Sequence, residues 1–151
     1  MILTGYLEPD PKILAHWLAE PATAPRRRMS AEGASWHSMT HQLLLPELSG
    51  GAIEAALTMI DAVTGEPASP RRLEWWANVL QTGAAYRLHH HSGTWAFVHH
   101  LTDGAALRFP KENKVFPAKS GQLLVFPSTS RHCTDAVTEP HRVSIAGNIW
   151  Y

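Results

Sequence analysis

Apolar residues recur at two different periods along this chain, and the change of period divides it. Ile13, Leu14, Trp17 and Leu18 stand at helical spacing behind Asp10 and Pro11, a capping side chain and a proline at the first helical position. They predict a helix that stops before Pro21. Residues 22–35 carry no period and read as a surface loop, in which the run Arg26-Arg27-Arg28 has solvation as its ordinary role. Ile53, Ala56, Leu57, Ile60 and Val63 predict a second amphipathic helix, with Ser49 available as a cap and Gly65 as a stop. From Leu73 the period falls to 2. Strands are predicted around Leu73 to Leu80, Ala84 to His91, Trp95 to Leu101, Ala105 to Phe109, Gln122 to Phe126, Arg131 to Val137 and Arg142 to Trp150. Turn residues such as Ser92-Gly93, Thr102-Asp103-Gly104 and Ser120-Gly121 separate many of them. Short strands at close, regular spacing predict a mainly β fold, a sandwich or barrel with the two helices packed on its outside.

Two of these strands carry the chemistry. Alternation in Ala84 to His91 puts Arg87, His89 and His91 on one face and Tyr86, Leu88 and His90 on the other. Two imidazoles at i and i+2 can grip one metal ion while a distant residue closes the set, and His132 is available for that. In the last strand Val143, Ile145 and Ile149 share an apolar face, and Arg142, Ser144, Ala146 and Asn148 the opposite one. A strand so apolar on one side is packed inside the domain, so its polar side faces solvent or lines a cavity. Arg142 offers a planar fork suited to a carboxylate. Each residue also has a plain role: a His-His-His run as a loop tip, His132 as a core histidine, Arg142 in an ion pair with Asp135 or Glu139. Their order along the chain is what makes a metal site with an acidic co-substrate the better reading.

Composition narrows the picture. At 151 residues the chain is read as one domain over residues 1–151, helical and looped over 1–72 and β from 73 onward. Lys plus Arg and Asp plus Glu balance at 13 each, so global charge argues for neither nucleic acid nor a membrane surface. Cys133 is the single cysteine, which excludes an internal disulfide and fits a reducing, cytoplasmic setting. The start of the chain lacks a basic run followed by a long apolar one, and no stretch approaches the ~20 apolar residues of a membrane span. Ten histidines and six tryptophans raise the prior for a metal or small-molecule site.

From residue 73 on, the chain resembles the iron(II)- and 2-oxoglutarate-dependent oxygenases, in particular the small-oxygenase branch of the prolyl-hydroxylase-like group. The matching segments are Trp76-Ala77-Asn78-Val79, His89-His90-His91, Gly104 to Phe109, Gly121 to Ser128, His132, and Arg142 to Asn148. The resemblance implies a double-stranded β-helix, a cupin-like jelly roll, with Fe(II) in its mouth. His89 and His132 would take the two histidine ligand positions, and His91 the position where many members place an aspartate. Arg142 would hold the far carboxylate of 2-oxoglutarate, helped by Ser144. Asn78, Tyr86, Trp95 and Asn148 would line the pocket, although a tryptophan is more often core. The implied reaction is hydroxylation of a small molecule or side chain with 2-oxoglutarate and dioxygen as co-substrates. A neutral imidazole in place of a carboxylate leaves the metal more positive. The same residues therefore also fit a three-histidine iron dioxygenase that does without 2-oxoglutarate, as thiol dioxygenases do. They fit a non-redox cupin-like binding protein as well.

Overall fold

The structure is a computed structural model that describes residues 1–19, 31–32, 35–37, 46–65 and 69–151. Arg26, Arg27 and Arg28 lie outside the described residues. The elements run β1 (Leu3–Tyr6), α1 (Pro11–Ala19), β2 (Ala31–Glu32), β3 (Ser35–His37), a 3-10 turn (Pro46–Leu48), α2 (Ala52–Thr64), β4 (Arg72–Gln81) and β5 (Ala85–His89). They continue with β6 (Trp95–His100), β7 (Gly104–Phe109), β8 (Lys114–Ala118), β9 (Gln122–Pro127), β10 (His132–Thr134) and β11 (His141–Trp150).

Both predicted helices form where the periodicity placed them. Asp10 caps α1 by accepting a hydrogen bond from the Lys12 backbone N–H at 2.8 Å. The cap of α2 differs from the expectation. Gly51, in a left-handed conformation with φ 80°, occupies the N-cap, and Ser49 is buried two residues earlier. Gly65 ends α2 as expected, at φ 72°, its N–H donating to Asp61 O.

The strands form two antiparallel sheets. One has the order β1-β9-β6-β11-β4-β3, the other β2-β5-β10-β7-β8. From β4 onward consecutive strands largely alternate between the sheets, which is the winding of a jelly roll. Strands β1, β2, β3 and β8 were not anticipated, and all four lie at sheet edges; β2 and the start of β3 fall inside the stretch 22–35 that reads as a loop. Strand β10 is shorter than the predicted Arg131 to Val137 segment.

Two cores follow from strand alternation. The outer face of the six-stranded sheet presents Trp75, Ala77, Val79, Phe97, Leu123, Val125, Val143, Ile145 and Ile149. Onto it pack Ile13 and Trp17 of α1 and Ile53, Ala56 and Ile60 of α2. Each fully buried Trp, Ile or Phe side chain here contributes about 1.5–3 kcal/mol. The inner face meets the second sheet through Ala96, Val98, Leu107, Phe109, Leu124, Phe126 and Ala146. The helices therefore back the sheet rigidly, and the polar side of β11 is turned to the barrel interior. No helix among the described residues is long and apolar enough to cross a membrane.

Candidate metal centre and carboxylate site

The three histidines converge. His89, His91 and His132 each offer a ring nitrogen, and these atoms lie within 4.8 Å of one another. His132 pairs with His89 across β10 and β5. Its Nδ1–H donates to Ser130 O at 3.0 Å, and the His89 Nδ1–H donates to Arg87 O at 2.7 Å. These bonds select the tautomers that leave each Nε2 lone pair free for a metal. His91 and His132 stack at 4.9 Å with an interplanar angle of 6°, and their Nε2 atoms are 3.1 Å apart. Two ligands at right angles on one ion, each at about 2.1 Å, would stand about 3.0 Å apart, so the donor set fits a metal. His91 stacks on Trp76 on its other side, at 5.7 Å and 18°, and the Asn148 side chain stands beside its ring. Burial, reinforced by the neighbouring imidazoles, lowers His91 to about 4 and His132 to about 3. Burial lowers His89 too. Neutral imidazoles are the form that binds metal.

Strand alternation explains only part of this convergence. Tyr86 stands opposite Thr134 and His89 opposite His132, three steps along β5 against two along β10. That is a bulge. It leaves Arg87 and Leu88 both exposed and turns Tyr86 to the same side as His89, their rings 5.6 Å apart. Tyr86 thus departs from the face that simple alternation gave it. His91 lies beyond the end of β5, where its backbone N–H donates to Ser128 O at 3.0 Å.

A chain of polar contacts leads inward from the histidines. The Tyr86 hydroxyl donates to Asn78 Oδ1 at 3.0 Å, and the Asn78 Nδ2–H donates to Ser144 Oγ at 3.4 Å. Arg142 follows Ser144 on the same face of β11 and is 2 % exposed. Its Nε–H donates to Ala105 O at 2.9 Å, while Nη2 has no partner among the described residues. The alternative partner Asp135 is taken by Arg108, at 2.6 Å. Burial lowers Arg142 to about 10, and Tyr86 and Glu139 oppose that fall, so the guanidinium stays charged at neutral pH. A buried cation with an unpaired N–H is costly unless an anion completes it. Asn148 Oδ1 is also buried, with no partner among the described residues.

The eight residues singled out from the sequence therefore lie around one interior: His89, His91, His132, Asn78, Tyr86, Arg142, Ser144 and Asn148. Trp95 does not. It packs against the helix-side core. Sequence reasoning missed Trp76, whose inward face follows from its pairing with Ala146 on β11.

Neither a protein-family model nor a curated protein matches the sequence. Solved structures do. The chain is similar to a prolyl-4-hydroxylase from Pseudomonas putida at 16% identity and a TM-score of 0.71, covering 99% of this chain and 91% of that one. It is similar to the viral collagen prolyl hydroxylase of Paramecium bursaria Chlorella virus-1, in complex with 2OG, at 10% identity and a TM-score of 0.70, over 97% and 94% of the two chains. A third structure is an oxidoreductase of the 2OG-Fe(II) oxygenase family from Burkholderia pseudomallei, at 16% identity and a TM-score of 0.65, over 97% and 83%. At such identities the likeness is one of fold. In fold, then, this chain resembles the prolyl-hydroxylase-like 2OG-Fe(II) oxygenases, with a jelly roll wound in the same way.

Proposed function

We propose that the protein is an oxygenase dependent on iron(II) and 2-oxoglutarate that hydroxylates a small molecule or a side chain. The observation that carries this reading is that three metal-competent histidines and a buried guanidinium, whose Nη2 has no partner among the described residues, face one interior, joined through Tyr86, Asn78 and Ser144. The structural neighbours, described as prolyl hydroxylases and a 2OG-Fe(II) oxygenase, support it.

His89, His91 and His132 would hold the iron. When bound, iron(II) would bring a 2-oxo acid and dioxygen together and activate the dioxygen, which is the oxidant, to hydroxylate a C–H bond. The overall balance is substrate R–H plus 2-oxoglutarate plus O2 giving R–OH, succinate and CO2. Arg142 anchors the far carboxylate of the co-substrate through a charge-assisted hydrogen bond, and the Ser144 hydroxyl adds to it. Asn78 and Tyr86 hold one another and wall the path from that anchor to the metal. Asn148 and Trp76 fix the His91 ring from two sides, which keeps its donor atom aimed. The single Cys133 supports a reducing, cytoplasmic setting for iron(II).

Uncoupled turnover tests the assignment. Iron(II)-loaded protein given dioxygen and C1-labelled 2-oxoglutarate is expected to release labelled CO2 and form succinate without any primary substrate. Oxygen uptake that ignores 2-oxoglutarate would contradict it. His91 favours one second reading: with three neutral ligands, the centre matches a three-histidine dioxygenase acting without a 2-oxo acid. That reading predicts oxygen uptake driven by a thiol substrate alone.

A further inference from the structure

Helices cover one face of the six-stranded sheet and the barrel interior lies against the other, an environment in which acidic side chains are rare. Glu74 is the one acidic residue among the described residues of its six strands. Its neighbours on β4, Leu73 and Trp75, belong to the helix-side core, so alternation turns Glu74 inward. Register sets it in one row with Asn148, Ala96 and Phe126. Two of these, Asn148 and Phe126, stand against the His91 ring, which puts Glu74 at the level of the histidine cluster.

This is the end of the interior away from Arg142. Six residues of β11, about 20 Å of extended strand, separate Arg142 from Asn148. Exposure rises in the same direction along the inward face of β4: Asn78 is buried, Trp76 and Glu74 are half-buried, and Arg72 is exposed. The interior therefore opens past Glu74. Among the described residues Glu74 makes one side-chain contact, an ion pair with Arg72. That partner leans outward: the Arg72 side chain is 54 % exposed against 14 % for Glu74, and its guanidinium lies over the Trp150 ring at 4.7 Å. A carboxylate offers about four lone-pair positions, and Arg72 fills one of them. Beside it Asn148 is 6 % exposed, and its Oδ1 has no partner among the described residues. Two neighbouring acceptors short of donors, one of them charged, fit a cation rich in N–H groups.

We propose that Glu74 binds a protonated amine on the primary substrate, with Asn148 Oδ1 as second acceptor, so the site selects cationic amines over neutral or acidic molecules of the same size. The inference rests on the oxygenase reading for the word substrate, but its chemistry requires only a cation seated beside the histidines. Arg72 holds the carboxylate until an amine arrives. The ammonium brings three donors to the acceptors, and the displaced guanidinium keeps its stacking on Trp150.

Butylammonium is the probe, with butyrate and butanol as controls. Each is titrated at pH 7 into protein loaded with zinc(II), which is diamagnetic and suits three imidazole ligands, while NMR follows the side-chain N–H signals of Asn148 and Trp76. Butylammonium should shift both signals to saturation, and the controls should leave them in place. Glu74→Gln keeps the shape and removes the charge, so it should weaken butylammonium about tenfold or more. Arg72→Gln removes the competing cation and should tighten it. No saturable shift in the wild-type chain, or an equal dissociation constant in folded Glu74→Gln, overturns the proposal. Should Glu74→Gln misfold, Arg72→Gln decides: butylammonium bound no more tightly than by the wild-type chain overturns it. Labelled CO2 release from 2-oxoglutarate by the iron(II)-loaded wild-type chain is read separately. Release without a butylammonium site leaves the oxygenase reading standing alone, and a Glu74-dependent butylammonium site without release leaves the cation site standing alone.

Discussion

In the proposed reading, Arg142 and His91 divide the chemistry of the site between an anchor and a metal ligand. Truncating Arg142 removes a buried charge-assisted contact, so Arg142→Ala should weaken 2-oxoglutarate by about 2–5 kcal/mol, thirtyfold or more, while iron(II) affinity stays within a few-fold. Anaerobic binding isotherms for both ligands check this, and loss of iron instead would make Arg142 a structural residue. Arg142→Lys should recover little, because the Nε–H to Ala105 O contact needs the guanidinium fork. His132→Ala should cost more iron affinity than the roughly 10- to 100-fold typical of outer-shell partners, measured by competition with a chelator. At this scale much was legible: His89, His91, His132, Arg142 and Ser144 announce themselves by type and order. The inward faces of His100 and Trp76 did not. The pair His99-His100 must point to opposite faces, but no local pattern says which face is the barrel interior, since both are buried. That knowledge comes only from the pairing of β6 with β11.

Strand β11 is the element on which the site depends, and Gly147 is its tightest point. It stands opposite Trp75 on one side and Phe97 on the other. A Cβ there would come within 2.4 Å of Glu74 O and 2.5 Å of the Phe97 ring. Gly147→Ala should therefore destabilise by at least about 1–3 kcal/mol, through overpacking, with a matching drop in the denaturant midpoint. The long strands and both helices were readable because each combines a clear period with a start or stop signal. Edges were harder. Strand β8 contains Pro117, which argues against a central strand and is tolerated here at the sheet edge. The bulge in β5 was invisible to period-2 reasoning, which cannot foresee an extra residue, and Tyr86 was assigned the wrong face for that reason.

For the molecule as a whole, buried neutral histidines link stability to pH. His99 and His100 are both lowered from 6.5, burial being the main cause in each, and the field of Arg142 adds to the fall of His100. Unfolded, each takes up a proton near its ordinary value; folded, each resists it to lower pH. The unfolded chain thus binds more protons below about pH 6.5, so stability is fully present above that value and falls as pH drops. Thermal melts from pH 8 to pH 5 of metal-free protein should show it. Metal should raise the melting temperature: iron(II) at a hundred times its dissociation constant adds about 2.7 kcal/mol, roughly 5–10 °C for a chain of this size. The central claim, that one interior holds iron(II) and 2-oxoglutarate together, is tested most directly by anaerobic titration of the iron(II)-loaded protein with 2-oxoglutarate. A visible metal-to-ligand charge-transfer band should grow and saturate at one equivalent per iron. No band from a sample carrying one iron per chain would contradict the account.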